Sequence, residues 1–504
     1  MNTFSTTLRR IFRSSSGMKA ADVSDPSIHD LPDPMESTSS MEATEPDDGL
    51  VPRSTAWRIL ISLMFPSMLM PLASSMSSVA LPVIRDQFQL QADVTAWVPT
   101  AFTLPFMILM PVYGRLSDAV GRRRLILAGT MVCALGTVIV FVAPDVPWIM
   151  AGRAIQGVGL AGMMPLGLAM ISAVFPAAER GRALGTWSSV GPIAGFISPL
   201  LAGFLIDGWG WRTAFLPPIL MCIVAYAVVW RNIPSGLSNV RPDFWQTFDW
   251  GGTGLLASTL TCLLFYLSSG PITGYPPLQD WRLLAGVLLL LGTFLWWERH
   301  HPNPFMPLNL FSNLAFTQGT LGAATRMVSM MALFFTLPLY LVDVRGMTAS
   351  GVGGMAMIMP GAMALMVRWA GGIADKFGSR RPIMIGFSIQ LIVLILFSRL
   401  NAESPLWTLV ALLAIHGAAV GLVLAPLHTM TLRTISDEMM GTAAGFYSMV
   451  RFVGTAIGVA LAGVLLQNGL DQGLTQIEAY QRVFLSFTVF SVLGILLMMW
   501  KVGK

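Results

Sequence analysis

Beyond residue 52 the chain is a succession of long apolar runs broken by short polar interruptions. About 20 apolar residues cross a bilayer as a helix, and by that measure the pattern predicts fourteen spans. Their expected starts are residues 59, 94, 125, 148, 183, 213, 250, 282, 314, 350, 383, 406, 442 and 481. The runs Val94–Tyr113 and Leu125–Ala143 are separated only by Gly114-Arg-Leu-Ser-Asp-Ala-Val-Gly-Arg-Arg-Arg124. No domain fits between them, so the two helices turn back on each other at a membrane surface.

That loop has a second copy, Gly371-Gly-Ile-Ala-Asp-Lys-Phe-Gly-Ser-Arg-Arg381, aligned without a gap. Asp118 matches Asp375, Gly121 matches Gly378, and Arg123-Arg124 match Arg380-Arg381, at a separation of 257 residues. A duplicated loop predicts a duplicated bundle. Eight helices open between residues 125 and 350, where a six-helix repeat would need six. The surplus pair is Gly251–Ser268 and Trp281–Trp297. The expected organisation is a tail over 1–52, a six-helix bundle over 53–230, a linker with two extra helices over 231–313, and a second bundle over 314–504. The connectors Arg231–Asp249 and Glu298–Asn313 are read as lying on the membrane surface.

Arginine and lysine decide orientation. With the N-terminus inside, inner loops hold thirteen such residues, from Arg115 to Arg433, against six outside, never more than one per outer loop. Both termini are therefore expected in the cytoplasm. Only 11% of residues are charged, against about 25% in soluble domains, and the +5 net charge is accounted for by basic inner loops rather than by nucleic acid. Nine of the 26 carboxylates fall between Asp22 and Asp48, in a polar stretch whose composition predicts a solvated, disordered tail without a secretory signal. Cys133, Cys222 and Cys262 lie in apolar runs and build no disulfide or metal framework. No phosphate-binding loop, nucleophile–base set or carboxylate pair is visible, so neither an enzyme nor a bound cofactor or metal is expected.

The first loop resembles the signature loop of the major facilitator superfamily, and the resemblance runs over nearly everything from residue 58 to 500. Arg153-Ala-Ile-Gln-Gly-Val-Gly159 is similar to the family's fourth-helix motif. Gly191-Pro-Ile-Ala-Gly195 is similar to the antiporter motif of the fifth helix, with Phe196 at its second closing glycine. Trp209-Gly-Trp-Arg-Thr-Ala-Phe215, Val79-Ala-Leu-Pro82 and Leu337-Pro-Leu-Tyr-Leu341 resemble segments of the fourteen-helix drug:proton antiporter branch. The resemblance implies an all-α polytopic fold of two six-helix bundles plus two extra central helices. It implies a gate built from Gly114, Asp118, Gly121, Arg122, Asp375, Gly378 and Arg380. Asp118 would dock on the start of the thirteenth helix near Gly441-Thr442, and Asp375 on the fifth near Arg182-Ala183.

Members of that branch carry an acid in the first helix where this chain reads Leu72-Ala73-Ser74-Ser75. No Asp or Glu is expected in any helix interior. Four arginines, Arg153, Arg326, Arg368 and Arg451, do fall within apolar runs. A charge at bilayer depth costs at least about 2.5 kcal/mol and is functional or paired. Arg368 is near a helix end and snorkels. Arg153, Gln156 and Arg451 sit at family positions with structural, proton-pathway or substrate roles open. Arg326 is the strongest cavity candidate, and His416 is a proton carrier or a packing residue. Gly191, Pro192 and Gly195 give the fifth helix tight packing and a kink.

The expected function is secondary active export of hydrophobic or amphiphilic compounds, such as drugs or secreted metabolites, by alternating access and coupled to protons. The expected setting is the bacterial inner or plasma membrane, as a monomer in the lipid bilayer. The census of buried charge favours neutral or anionic cargo. Two other readings stay open: proton-independent movement of an anionic metabolite, and a non-transporting membrane sensor.

Overall fold

Every apolar run forms a helix. The computed structural model describes residues 51–234, 248–268, 274–275, 277–435 and 439–500, without the side chains of Asp118, Ala177, Ala178 and Asp375. The expected tail, apart from residues 51–52, and positions 235–247 of the first connector lie outside the described residues. Among the described residues, fourteen helices are long and apolar enough to cross a membrane. The first six are α1 Arg53–Phe88, α2 Ala92–Ser117 (helical to Val120), α3 Arg122–Val142, α4 Val146–Val174, α5 Glu179–Trp209 and α6 Trp211–Asn232. The extra pair is α7 Trp250–Ser268 and α8 Trp281–His300. The last six are α9 Leu314–Asp343, α10 Ala349–Ala374, α11 Arg380–Phe397, α12 Leu406–Leu432, α13 Met440–Asp471 and α14 Gln476–Met499.

Each span starts at, or up to six residues before, its expected position. In α14 polar capping supplies the difference. The Thr475 hydroxyl accepts from the Glu478 N–H, and the Glu478 carboxylate accepts from the Thr475 N–H at 2.9 Å. This capping box starts the helix before the apolar run does. Proline interrupts several spans. A proline lacks the N–H for the carbonyl four residues back and crowds it. The breaks at Ala161-Gly162, Ser189 and Met357 each lie three or four residues ahead of Pro165, Pro192 and Pro360. The expected kink in α5 is the second of these.

Helices α1–α6 form one bundle and α9–α14 the other. They meet along α2 against α13 and α5 against α10, with α1 touching α9. The pair α7–α8 is applied to the outside of the α2–α13 seam: α7 packs on both helices, and α8 packs chiefly on α7. Leu288 and Leu289 of α8 are therefore exposed to the lipid region. Exposed tryptophans mark both membrane faces, Trp209, Trp281 and Trp407 at one and Trp230, Trp369 and Trp500 at the other.

The segment after α8 buries Phe305, Met306 and Leu310 in the bundle and leaves Pro302, Asn303 and Asn309 exposed. One expectation is corrected: helix interiors are not free of carboxylates. α8 extends to His300, which brings Glu298 inside it, and that side chain is buried. The apolar run ends at Trp297, so hydropathy alone stops one residue short of the acid.

Candidate functional site

The end of the bundle that carries Gly121 and Gly378 is here the loop end, and the opposite one the far end. Eighteen residues make five helical turns, so Gly185 and Gly203 of α5 share a stripe, as do Gly445 and Gly463 of α13. At the far end both stripes press against the other half. A Cβ at Gly203 would lie 2.6 Å from Ser350 Cα of α10, and one at Gly463 would lie 2.6 Å from Ala96 Cβ of α2. Between the two ends, Gly195 has Pro360 at 3.6 Å. At the loop end, a Cβ at Gly181, Gly185 or Gly191 of α5, or at Gly441 or Gly445 of α13, would meet nothing within 4 Å beyond its own helix turn. Both seams are closed at the far end and splayed at the loop end. Phe196, standing where the antiporter motif has a glycine, fills the notch that Gly361 leaves on α10, 2.8 Å from the position of a Cβ there.

Polar contacts seal the far end. Asp207 of α5 accepts from the N–H groups of Ala349 and Ser350, both at 2.9 Å, where unpaired donors begin α10. Gln467 of α13 accepts from Ala92 N–H at 2.9 Å, at the start of α2. Arg85 of α1 donates to both oxygens of Asp343 of α9, at 2.7 Å and 2.5 Å, and the Tyr480 hydroxyl donates to the same carboxylate at 2.6 Å. Ser78 adds a bond to the Phe334 carbonyl at 3.3 Å. In the sequence Asp207 and Asp343 stand out only as acids at helix edges, and Gln467, Tyr480 and Ser78 do not stand out at all. A signal was present, because Gly181, Gly185, Gly203 and Asp207 recur as Gly441, Gly445, Gly463 and Gln467 at a constant spacing of 260.

The duplicated loops turn alike. Gly121 has φ 92° and Gly378 φ 77°, a region that favours glycine. The arginines beside them bond within their own halves: Arg122 donates to the Ala169 carbonyl at 3.0 Å, and Arg380 to Gln318 and the Trp500 carbonyl, both at 3.4 Å. Gly114 faces Pro165 of its own half at 3.9 Å. The side chains of Asp118 and Asp375 lie outside the described residues.

The interior arginines separate into two kinds. Arg153 is fully enclosed in its own half, donating to Gln156 at 2.7 Å, while Gln156 donates to Thr137 at 2.9 Å. Its guanidinium lies 4.7 Å from the centre of the Phe102 ring. These bonds clamp α2, α3 and α4 together. Arg326 of α9 is equally buried, yet among the described residues its polar contact is a 3.8 Å approach to Met330 Sδ, and its Nε and Nη2 have no partner there. It faces Tyr447 and Arg451 of α13 electrostatically. The Tyr447 hydroxyl is also unpartnered, and Arg451 lies 5.2 Å from the Phe452 ring centre. No carboxylate pairs with Arg326 or Arg451 among the described residues.

His416 is fully buried with both ring nitrogens unpartnered, inside the second half beside the contact of Gly417 with Met359. His428, twelve residues on and a third of a turn around α12, is exposed and meets Tyr447 edge-on at 5.3 Å. Hydropathy cannot rank the two histidines, because both sit in the same apolar run. Tyr447 and Arg451 are four residues apart, a spacing that places them on one helix face. Arg368 is exposed, as a snorkelling residue should be.

The profile of the Major Facilitator Superfamily matches residues 63–398 and again 319–504. The chain belongs to that superfamily. Its fourteen spans agree with the fourteen-helix branch, and it is therefore an integral membrane transporter. The Multidrug resistance protein Stp of Mycobacterium tuberculosis is 29% identical over 398 residues, 79% of this chain and 73% of Stp. The Riboflavin transporter RibZ of Clostridioides difficile is 27% identical over 406 residues, 80% of this chain and 87% of RibZ. The crystal structure of a bacterial homolog of the human lysosomal transporter Spinster, inward-facing and unoccupied, matches with TM-score 0.64 at 16% identity. It covers 89% of this chain and 97% of that one, a likeness of fold.

Proposed function

We propose that this transporter exports neutral or anionic amphiphilic organic compounds from the cytoplasm of a bacterial cell, by alternating access between halves 53–230 and 314–504. The loop end faces the cytoplasm, as the thirteen-to-six arginine and lysine bias favours. The observation that carries the cargo class is Arg326, a buried cation with two unpartnered nitrogens, beside the unpartnered Tyr447 hydroxyl and a second cation, Arg451. Desolvated donors without an acceptor reward a ligand that brings one, such as a carboxylate, phenolate or quinone oxygen. The names of Stp and RibZ, multidrug resistance and riboflavin transport, agree with organic cargo of this size.

Gly114, Asp118, Gly121, Arg122, Asp375, Gly378 and Arg380 form the cytoplasmic gate in this reading, and a proton gradient supplies the energy. Arg326→Ala should weaken transport of an anionic amphiphile by about 10- to 100-fold, the worth of one charged hydrogen bond. A quaternary ammonium dye should remain a poor substrate. Equal transport of both cargoes, unaffected by Arg326→Ala, overturns the assignment.

A second reading is proton-independent transport of an anionic metabolite. It is favoured by Ala73, a buried residue where related exporters carry an acid. Substrate movement in proteoliposomes that survives a protonophore selects it; collapse of transport selects proton coupling.

A further inference from the structure

The extra helix pair contains an unassigned site. Asp249 precedes α7 and accepts from Gly252 N–H at 2.7 Å, Trp297 Nε1–H at 2.9 Å and Phe305 N–H at 3.2 Å. Three donors at a helix N-terminus suit an ionised carboxylate. Glu298 of α8 is also buried, but only Oε2 is engaged, accepting from Met306 N–H at 2.9 Å, while Oε1 has no partner. A Cβ at Gly252 would lie 2.7 Å from Glu298 Oε1 and closer still to Asp249 Oδ2. The two oxygens are thus less than 5.4 Å apart (twice 2.7 Å).

The charged groups facing Glu298 are Asp249, Arg115 of α2 and His301 of the connector. Neither cation is committed to Glu298. The Arg115 Nη2 donates to the Phe305 carbonyl at 3.1 Å and approaches that of Pro304 at 3.4 Å, and His301 Nδ1 lies 3.8 Å from Asp249. Among the described residues, helix α13 contributes the Phe446 ring, packed 5.6 Å from that of Phe305. Phe305 therefore bridges α2 and α13 at the splayed end of their seam, and its backbone is held on one side by the carboxylate pair and on the other by Arg115.

We propose that Asp249 and Glu298 bind one proton between them, carried on Glu298 Oε1, and that this proton sets how the strap around Phe305 holds the α2–α13 seam. Two buried carboxylates this close do not both ionise without a committed cation. Loss of the proton to loop-end water leaves Glu298 charged. Arg115 is then drawn from the Pro304 and Phe305 carbonyls toward the new anion, and the strap releases α2. The extra helices thereby become a protonation-sensitive clamp on one of the two moving seams. The inference is independent of cargo identity.

The test uses purified full-length protein with spin labels at Ala119→Cys and Gly441→Cys across the loop end of the α2–α13 seam, combined with infrared spectroscopy. The wild type should show a protonated carboxylic-acid band that disappears as pH rises, together with a shift in the loop-end distance. Glu298→Gln keeps an acceptor for Met306 N–H, so it should fold, lose the band, and hold the low-pH distance at every pH. Trp297→Phe removes one donor from the Asp249 anion without touching Glu298. Its transition should move up by about one pH unit, the effect of one hydrogen bond. A band that survives Glu298→Gln, a Glu298→Gln distance that follows the wild-type pH profile, or an unmoved Trp297→Phe midpoint overturns the proposal.

Discussion

At Gly463 helix α13 rests on α2 so closely that a methyl group would not fit, whereas five turns away on the same stripe a Cβ at Gly445 would meet nothing within 4 Å beyond its own helix turn. Helix α5 repeats the pattern against α10, with Gly203 crowded and Gly185 free. Small residues permit close helix approach in lipid, so each stripe is equipped for contact along its whole length and uses only half of it. The unused half has a purpose if the seam rocks and closes at the loop end when the far end opens. Among the described residues the polar contacts follow the same division: Asp207, Gln467 and the Arg85–Asp343–Tyr480 cluster bind across the halves at the far end.

The largest expected effect comes from breaking the far-end ion pair. Asp343→Asn leaves Arg85, whose side chain is 16% exposed, with only the exposed Asp86 carboxylate, at 2.7 Å on its own helix, and no charge across the seam. Breaking a buried pair costs about 3 kcal/mol. The far end should open, read as a lengthened distance between spin labels at Gly208→Cys and Gly354→Cys, and an unchanged distance would remove the pair from the latch. Next come the stripes. Gly203→Val overpacks the closed seam by about 1–3 kcal/mol and should populate the far-open state. Gly185→Val, harmless in the present state, should trap the loop-open state. Both should slow transport while moving the distances in opposite directions; shifts of the same sign would refute the rocking account. The smallest effect is expected from Asp207→Asn or Gln467→Leu, at about 1 kcal/mol per lost cap. The double variant should add up, because the two caps lie on different seams.

The fold was legible because lipid imposes one rule on every span. Fourteen helix starts followed from apolar run lengths, and the inserted pair followed from the 257-residue echo of the loop. The site was legible only in part. Arg326 stood out because an arginine in an apolar run has to be explained, and the structure leaves it without a counter-charge. Glu298 was passed over because it adjoins Trp297 at the end of its run, where an acid reads as interfacial. Whether it is buried depends on the Phe305 segment folding back over it, a tertiary event invisible to hydropathy. His428, the ring beside Tyr447, went unremarked for a similar reason: it lies in the same apolar run as His416, and only the packing of α12 tells the two rings apart.

The central claim is that the two ends of the seams exclude each other. Pulsed electron paramagnetic resonance on two label pairs, Gly185 with Gly372 at the loop end and Gly208 with Gly354 at the far end, tests it directly in lipid nanodiscs. With an anionic amphiphile added, the loop-end distance should shorten in the same fraction of molecules in which the far-end distance lengthens. Simultaneous shortening at both ends, or movement at one end while the other stays fixed, would contradict the account.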